Sequence, residues 1–389
     1  MSAMFMAGVT GTNGKTSVTQ WFAQALSALG RKCAVIGTLG NGFPGALVPG
    51  PNTTPGAAVL KSLLPELAAA GAQACAMEVS SIGLHQKRVA DVTFDVAVLT
   101  NLTRDHLDYH GTMEGYADEK RKLFAMPGLR TAVLNLDDPF GAALDEQLAG
   151  RLRVIGYTLE GKVSRGETLA ARNLSTTTTG ITFTLDGVTV AAPLIGRFNA
   201  SNLLAVIGAL LAAGEELADI AGVLPGLTPP PGRMQTVGGR GAPLVVVDYA
   251  HTPDALEKAL VTLDEIAQAR AGKLVCVFGC GGGVSRDPGK RPIMGAIAER
   301  LAGQVILTSD NPRDEDPQAI LAAIAAGMAV KPPIEPDRAR AIEQAIAAAG
   351  ARDVILLAGK GHEPYQEVAG VRHPFSDLEH ARAALEQLR

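Results

Sequence analysis

Short, unbroken apolar runs alternate along the chain with Ala-rich segments in which apolar positions recur at helical spacing. A run without internal polar positions reads as a strand buried on both faces, and the amphipathic segments between such runs read as helices laid on a parallel sheet. The spacing predicts strands over Met4–Val9, Lys32–Gly37, Ala74–Val79, Asp95–Thr100, Arg130–Asn135 and Arg151–Tyr157. Helices are expected over Lys15–Leu29, Gly56–Ala70 and Met113–Phe124. The fold class is therefore α/β, built from βαβ units.

The pattern changes between Ser164 and Pro193, where polar Thr-rich residues precede an alternating stretch, Ile181 to Val190, broken by Asp186-Gly187. That is a hairpin signal, and the hairpin is expected as an antiparallel edge of the first sheet. A helix over Asn199–Ala213 and a further helix follow, then Leu227-Thr-Pro-Pro-Pro-Gly-Arg233, whose prolines can sit in neither a helix nor a central strand. The domain boundary is placed there, giving a central domain over 1–228 and a C-terminal one over 229–389. The second series has strands over Leu244–Asp248, Lys273–Gly279, Gln304–Thr308 and Asp353–Ala358.

With 389 residues the chain is long enough for two or three domains with full cores. Lys plus Arg number 35 against 39 Asp plus Glu, which offers no broad basic surface and argues against nucleic acid as a partner. Cys33, Cys75, Cys276 and Cys280 sit in apolar runs without paired metal-ligand spacing, as reduced buried thiols would. No stretch approaches the ~20 apolar residues of a membrane span, so a soluble, cytoplasmic protein is expected.

Gly8-Val-Thr-Gly11-Thr12-Asn13-Gly14-Lys15-Thr16 lies between a predicted strand and a predicted helix. Glycines let the backbone wrap phosphates, the helix N-terminus supplies amides, Lys15 adds a positive charge and Thr16 a hydroxyl for Mg²⁺. The glycine spacing is one residue longer than the usual phosphate loop. Glu78 ends an apolar run at the carboxyl edge of the sheet, where it is a candidate Mg²⁺ ligand or else a cap of the following turn. The run Thr100 to His110 crowds Arg104, Asp105, His106, Asp108 and His110 after another strand, which favours a catalytic or metal role. Lys120, on an amphipathic helix, reads on spacing alone as a solvated charge.

These segments resemble the Mur ligases, ATP-dependent amide-bond-forming enzymes of peptidoglycan synthesis, over nearly the whole chain. Gly11–Thr16 resembles their phosphate loop; Glu78-Val-Ser-Ser and Asn101 to Gly111 resemble their Mg²⁺-binding segments. The resemblance implies a P-loop central domain with a parallel sheet, followed by a Rossmann-like C-terminal domain that binds the incoming amino acid. It implies ATP and two Mg²⁺ ions, one held by Thr16 and Glu78, the other by Glu78, His106 and a Lys120 carbamylated by CO₂. Asn199 and Asn202 look like adenine contacts, Arg233 like a junction arginine near the phosphates, and Asp248 and His251 like nucleotide contacts. Asn52, Thr53 and Thr54, with Ser80, Gln86 and Arg88, resemble muramoyl-peptide-binding segments.

Asp310, Asn311 and Arg313, with Gly359 and Glu363, look like the form of the amino-acid pocket that takes meso-diaminopimelate. An Arg fork would bind the distal carboxylate that lysine lacks, and the acids would hold ammonium groups. Arg286, in a segment with an extra residue, is a weaker match for a carboxylate contact. The implied reaction adds meso-diaminopimelate to UDP-N-acetylmuramoyl-L-alanyl-D-glutamate through an acyl phosphate, with Lys15, Lys120, His106 and Arg233 as catalytic residues in a monomer. The uridine-gripping domain of such enzymes has no counterpart before the first strand. A folylpolyglutamate-synthetase-like ligase and a silent binding module are the rival readings.

Overall fold

Mostly parallel strands, the central ones without polar interior positions, carry the first unit. They are β1 (Phe5–Thr10), β2 (Cys33–Gly37), β3 (Gly40–Phe43), β4 (Ala46–Val48), β5 (Ala74–Glu78), β6 (Val96–Leu99), β7 (Thr131–Asn135), β8 (Arg153–Thr158) and β9 (Glu167–Ala170). The computed structural model describes residues 4–283 and 287–388. It divides into two units, one of Met1–Thr103 with His110–Thr228 and one of Arg104–Tyr109 with Pro229–Arg389.

The nine strands run in the order β4-β3-β2-β5-β1-β6-β7-β8-β9. All pairs are parallel except β2 with β3 and β3 with β4. Period-two alternation splits each central strand between two cores. Ala7, Val9, Val35, Ala76, Val98, Val133 and Ile155 join one core with helices Lys15–Ala28 and Arg197–Ala212. Met6, Ile36, Met77, Leu99 and Leu134 join another with Leu60, Leu67 and Phe140. The two faces are thus both covered, as unbroken apolar strands require.

Predicted ends of the parallel strands lie within two residues of those observed, with two differences of substance elsewhere. Residues 181–192 do form a hairpin, β11 (Ile181–Leu185) with β12 (Val188–Ala192), but it does not edge the large sheet. It joins β10 (Arg172–Thr176) in a separate three-stranded sheet. The edge is taken by β9, and Ile181, Phe183, Leu185 and Val190 turn instead into the core under the helices. The turn residues Asp186 and Gly187 have φ of 48° and 83°, the paired positive values of a primed hairpin turn. The predicted helix Met113–Phe124 ends at Arg121 and tightens into a 3₁₀ turn over Lys122–Ala125.

The second unit carries β13 (Gln235–Gly238), β14 (Leu244–Asp248), β15 (Leu274–Phe278), β16 (Gln304–Leu307) and β17 (Val354–Ala358) in the order β13-β14-β17-β15-β16. Only β13 is antiparallel. A hairpin of β18 (Tyr365–Val368) and β19 (Val371–Pro374) follows. Asp248, Asp310 and Gly359 all lie at or just beyond the carboxyl ends of parallel strands, where open α/β sheets bind ligands.

Candidate functional site

In the first unit the loop after β1 is braced by the loop after β6. Thr12 N donates to Asn101 O at 2.9 Å and Asn13 N to Asn101 Oδ1 at 2.9 Å, while Thr100 Oγ1 donates to Asn13 O at 2.6 Å. Gly14 opens the helix with φ 87°, and a Cβ there would lie 2.5 Å from Asn202 Oδ1. Asn202 Nδ2 in turn donates to Asn199 Oδ1 at 3.1 Å, so both asparagines sit at the loop. Lys15 Nζ donates to the carbonyls of Gly11 and Thr12, each at 2.9 Å, curling over the loop it belongs to. The hydroxyls of Thr10 and Thr103 are buried with no hydrogen-bond partner among the described residues, an unmet polar demand beside the loop.

Glu78 is 1 % exposed at the end of β5. Its Oε2 accepts from Thr16 Oγ1 at 3.1 Å and from Thr38 Oγ1 at 3.1 Å, and its Oε1 accepts from Thr38 N at 2.9 Å. The turn-capping alternative does not apply, because Ser80 Oγ itself caps the helix Ser81–His85. One carboxylate with two hydroxyls is a hard-oxygen donor set, sparse enough to suit Mg²⁺, which keeps several waters and leans on phosphate oxygens. Thr38 was not anticipated, since a lone threonine after β2 carries no motif.

Lys120 is not a solvated charge. It is 1 % exposed, its Nζ donates to Gly11 O at 2.9 Å and lies 4.4 Å from the Tyr116 ring centroid. As an ammonium it cannot ligate a cation, and no group of three or more His, Cys, Asp or Glu suited to a metal occurs among the described residues. Of the muramoyl-peptide candidates, Asn52 is exposed, while Thr54 is fully buried with its hydroxyl 2.9 Å from Glu78 O and 3.0 Å from Ser80 Oγ. Arg88 Nη1 donates to Thr54 O at 2.7 Å and its Nε to Gln86 Oε1 at 2.9 Å, and Thr53 Oγ1 lies 3.1 Å from Thr38 Oγ1. Both candidate segments therefore meet at the end of β5.

The second unit holds an open cleft lined by Tyr249, His251, Lys290, Asp310, Asn311, Arg313, Gly359 and Glu363 among others. Gly359, at φ 113°, is where a Cβ would approach Asp310 Oδ2 to 2.5 Å. Asn311 is a strut: its Nδ2 donates to Glu363 Oε2 at 2.7 Å, and its Oδ1 accepts from Lys360 Nζ at 3.0 Å and Glu367 N at 2.9 Å. Arg313 reaches the Gly282 carbonyl through Nη1 at 2.9 Å, and its backbone N donates to Glu367 O at 3.0 Å, which ties the cleft to the β18–β19 hairpin. Burial and the neighbouring Asp310 push the Glu363 carboxyl up against the opposing pull of Lys360. Lys360, fully buried inside the motif Gly359–Glu363, was missed because the flanking residues absorbed the reading.

Beside this cleft the Arg233 guanidinium lies 4.4 Å from the Tyr249 ring centroid, and Met234 N donates to Asp248 Oδ2 at 2.7 Å. Burial raises the Asp248 carboxyl although Arg233 opposes it. His106 belongs to this unit, with Nε2 at 3.4 Å from Asp105 Oδ2, and His251 Nε2 lies 3.9 Å from the same oxygen. Burial works against the Asp105 charge, but His106, His251 and Lys290 prevail and lower its carboxyl to about 2. His362 is depressed to about 3 by burial, helped by Arg233 and Lys360, and its Nδ1 is buried without a hydrogen-bond partner among the described residues. Arg286 lies outside the described residues.

No helix among the described residues is long and apolar enough to cross a membrane. The family model of the Mur ligase middle domain matches residues 9–210, and that of the Mur ligase, glutamate ligase domain matches 232–361. The chain is 54 % identical over 396 aligned positions to the UDP-N-acetylmuramoyl-L-alanyl-D-glutamate--2,6-diaminopimelate ligase of Ralstonia nicotianae, covering 98 % of this chain and 76 % of that protein. It is 55 % identical to the protein of the same name from Pseudomonas aeruginosa, again covering 98 % of this chain and 77 % of the relative. A solved structure of a ligase of that name superposes with a TM-score of 0.70 at 39 % identity, over 100 % of this chain and 79 % of that one. A folylpolyglutamate synthase of Mycobacterium tuberculosis reaches a TM-score of 0.73 at 21 % identity, over 92 % of this chain and 88 % of that one, a likeness of fold.

Proposed function

The chain belongs to the Mur ligases, and we propose that it joins meso-diaminopimelate to UDP-N-acetylmuramoyl-L-alanyl-D-glutamate at the expense of ATP. The observation that carries this reading is one cleft holding Arg313 together with Asp310 and Glu363. A diamino dicarboxylate presents an ammonium and a carboxylate at its far end, and this charge pair answers both. Lysine would leave the guanidinium unmatched, and a substrate with no second amine would leave the acids unmatched. The 52–56 % identity to ligases of that name supports the same acceptor.

The reaction begins with the D-glutamyl γ-carboxylate attacking the ATP γ-phosphorus, which forms an acyl phosphate and expels ADP. The acceptor amine then attacks the acyl carbon, and the tetrahedral intermediate collapses with loss of phosphate. Gly11, Thr12, Asn13 and Gly14 form the loop that wraps the phosphates, Lys15 and Arg233 offset charge on the phosphoryl group in flight, and Asn199, Asn202, Asp248 and His251 bind the nucleoside.

Thr16 and Glu78 would hold Mg²⁺, which when bound offsets phosphate charge. A second ion, drawing on Glu78 and His106, requires Lys120 in its carbamate form, since the ammonium would repel it. The domain over 1–228 takes ATP and the one over 229–389 takes the acceptor. Asn52, Thr53, Ser80, Gln86 and Arg88 bind the muramoyl peptide, Thr54 braces them from beneath, and Arg286 is a further carboxylate contact. The protein acts as a cytoplasmic monomer.

The test is a ligation with isotopically labelled oxygen in the γ-carboxylate. One label is expected in the released phosphate for each amide formed. Amide formation with all label retained in the peptide contradicts the acyl phosphate.

A further inference from the structure

Arg338, between the two cleft segments in the chain, and Asp377, beyond the second, form an ion pair with side chains at 0 % exposure on both partners. The guanidinium grips the carboxylate as a fork, Nε to Oδ1 and Nη2 to Oδ2, both at 2.7 Å. Its remaining donors do something else. Nη2 also donates to Ala358 O at 3.0 Å, and Nη1 to Ser309 O at 3.4 Å.

Those two carbonyls occupy telling places. Ala358 is the last residue of β17, so the next residue begins the segment Gly359–Glu363; Ser309 directly precedes Asp310. One buried cation therefore holds the backbone immediately ahead of both acidic walls of the cleft. Gln366, on β18, adds a bond from Nε2 to Asp310 O at 2.8 Å, fastening the same wall from the hairpin side. Fold stability alone does not require this arrangement. A buried ion pair can be replaced by apolar residues of similar volume with little or no loss of stability, whereas apolar side chains cannot donate to Ala358 O and Ser309 O. Arg338 is buried and does not line the cleft; its action passes through the backbone it holds.

We propose that Arg338, locked by Asp377, is a positioning residue that sets the spacing of the Asp310 and Glu363 walls and thereby the affinity of the cleft for its diamino acid, an inference that rests on the reading of the cleft given above.

The experiment compares the unmodified chain with Arg338→Lys and with the double variant Arg338→Met, Asp377→Leu. Thermal unfolding and the KM for each of the three substrates are measured. The unmodified chain is first assayed with several diamino acids, and the preferred one is used throughout; a preference other than diaminopimelate counts against the functional reading and leaves the comparison of variants intact. In the double variant the KM for the amino acid is expected to rise at least tenfold, with the KM for ATP and for the muramoyl peptide within twofold of the original. Arg338→Lys, which keeps the charge and some donors, should recover part of that loss. A folded double variant with unchanged amino-acid KM overturns the proposal, as does a rise shared by all three substrates. If the double variant does not fold, Arg338→Lys decides by the same selective rise. Unfolding of both variants assigns the pair to fold stability alone and overturns the proposal.

Discussion

His362 shows how a single buried group writes itself into the pH dependence of the whole chain. Its imidazole, faced by Arg233, Lys360 and Tyr249, is lowered to about 3, so it stays neutral in the fold while the unfolded chain protonates near the ordinary histidine value. Between those two values the unfolded state binds more protons, and stability falls as pH falls. His362→Asn removes that linkage. Denaturant titrations from pH 7 downward should show the unmodified chain losing up to ~1.4 kcal/mol per pH unit more than the variant; parallel curves would refute the burial argument. Lys120 makes a second prediction. If its carbamate serves the reaction, depleting CO₂ should depress ligation and bicarbonate should restore it, while Lys120→Ala is inactive with or without bicarbonate. Full activity in the alanine variant sinks the assignment. At this scale the positions of Gly11–Thr16 after β1 and of Glu78 at the end of β5 were legible, because strand ends are written in local sequence. Lys120, Thr38 and Lys360 were not, because their meaning comes from groups far away in the chain or from motif neighbours that drew the reading.

Elements built from uniform apolar runs were the easiest to read, since burial on both faces removes the polar punctuation that blurs strand ends. The arm β3–β4 was missed because its residues Gly40-Asn-Gly-Phe43 and Ala46–Val48 are short, glycine-rich and half-exposed, and so lack any period. The hairpin β11–β12 was legible from its turn, yet its docking was not, because which face of a strand finds a core is decided by helices elsewhere. The phosphate loop offers the test for this scale. Gly14→Ala places a Cβ against Asn202 at a positive φ, a conformation costing an L-residue about 1–2 kcal/mol before any clash. Trp21, the single tryptophan, is 1 % exposed in the helix that follows the loop and donates to Thr228 O at 3.0 Å, so its fluorescence reports the unfolding of this unit. ATP with Mg²⁺ should stabilise that transition in the unmodified chain, by about 2.7 kcal/mol at a hundredfold excess over Kd. The shift should vanish in Gly14→Ala. An equal shift in both would show that the loop does not carry the nucleotide.

Across the whole molecule, the proposed function puts phosphoryl chemistry and acceptor choice on different units, since the loop and Glu78 lie in the first and the charged cleft in the second. The two-series organisation was legible from the break at Leu227–Arg233, whereas the grouping of Arg104–Tyr109 with the second unit was not, because chain order gives no hint of it. The central claim, that the second-unit cleft selects a diamino dicarboxylate, is met most directly by competition. Unmodified chain, ATP, Mg²⁺ and UDP-N-acetylmuramoyl-L-alanyl-D-glutamate are mixed with equal concentrations of meso-diaminopimelate, lysine, ornithine and glutamate, and the products are resolved by mass. Diaminopimelate is expected in nearly all of the product, and Arg313→Ala should lose ~2–5 kcal/mol of that preference because the distal carboxylate is left buried and unpaired. Incorporation of lysine and diaminopimelate in equal amounts by the unmodified chain would contradict the account.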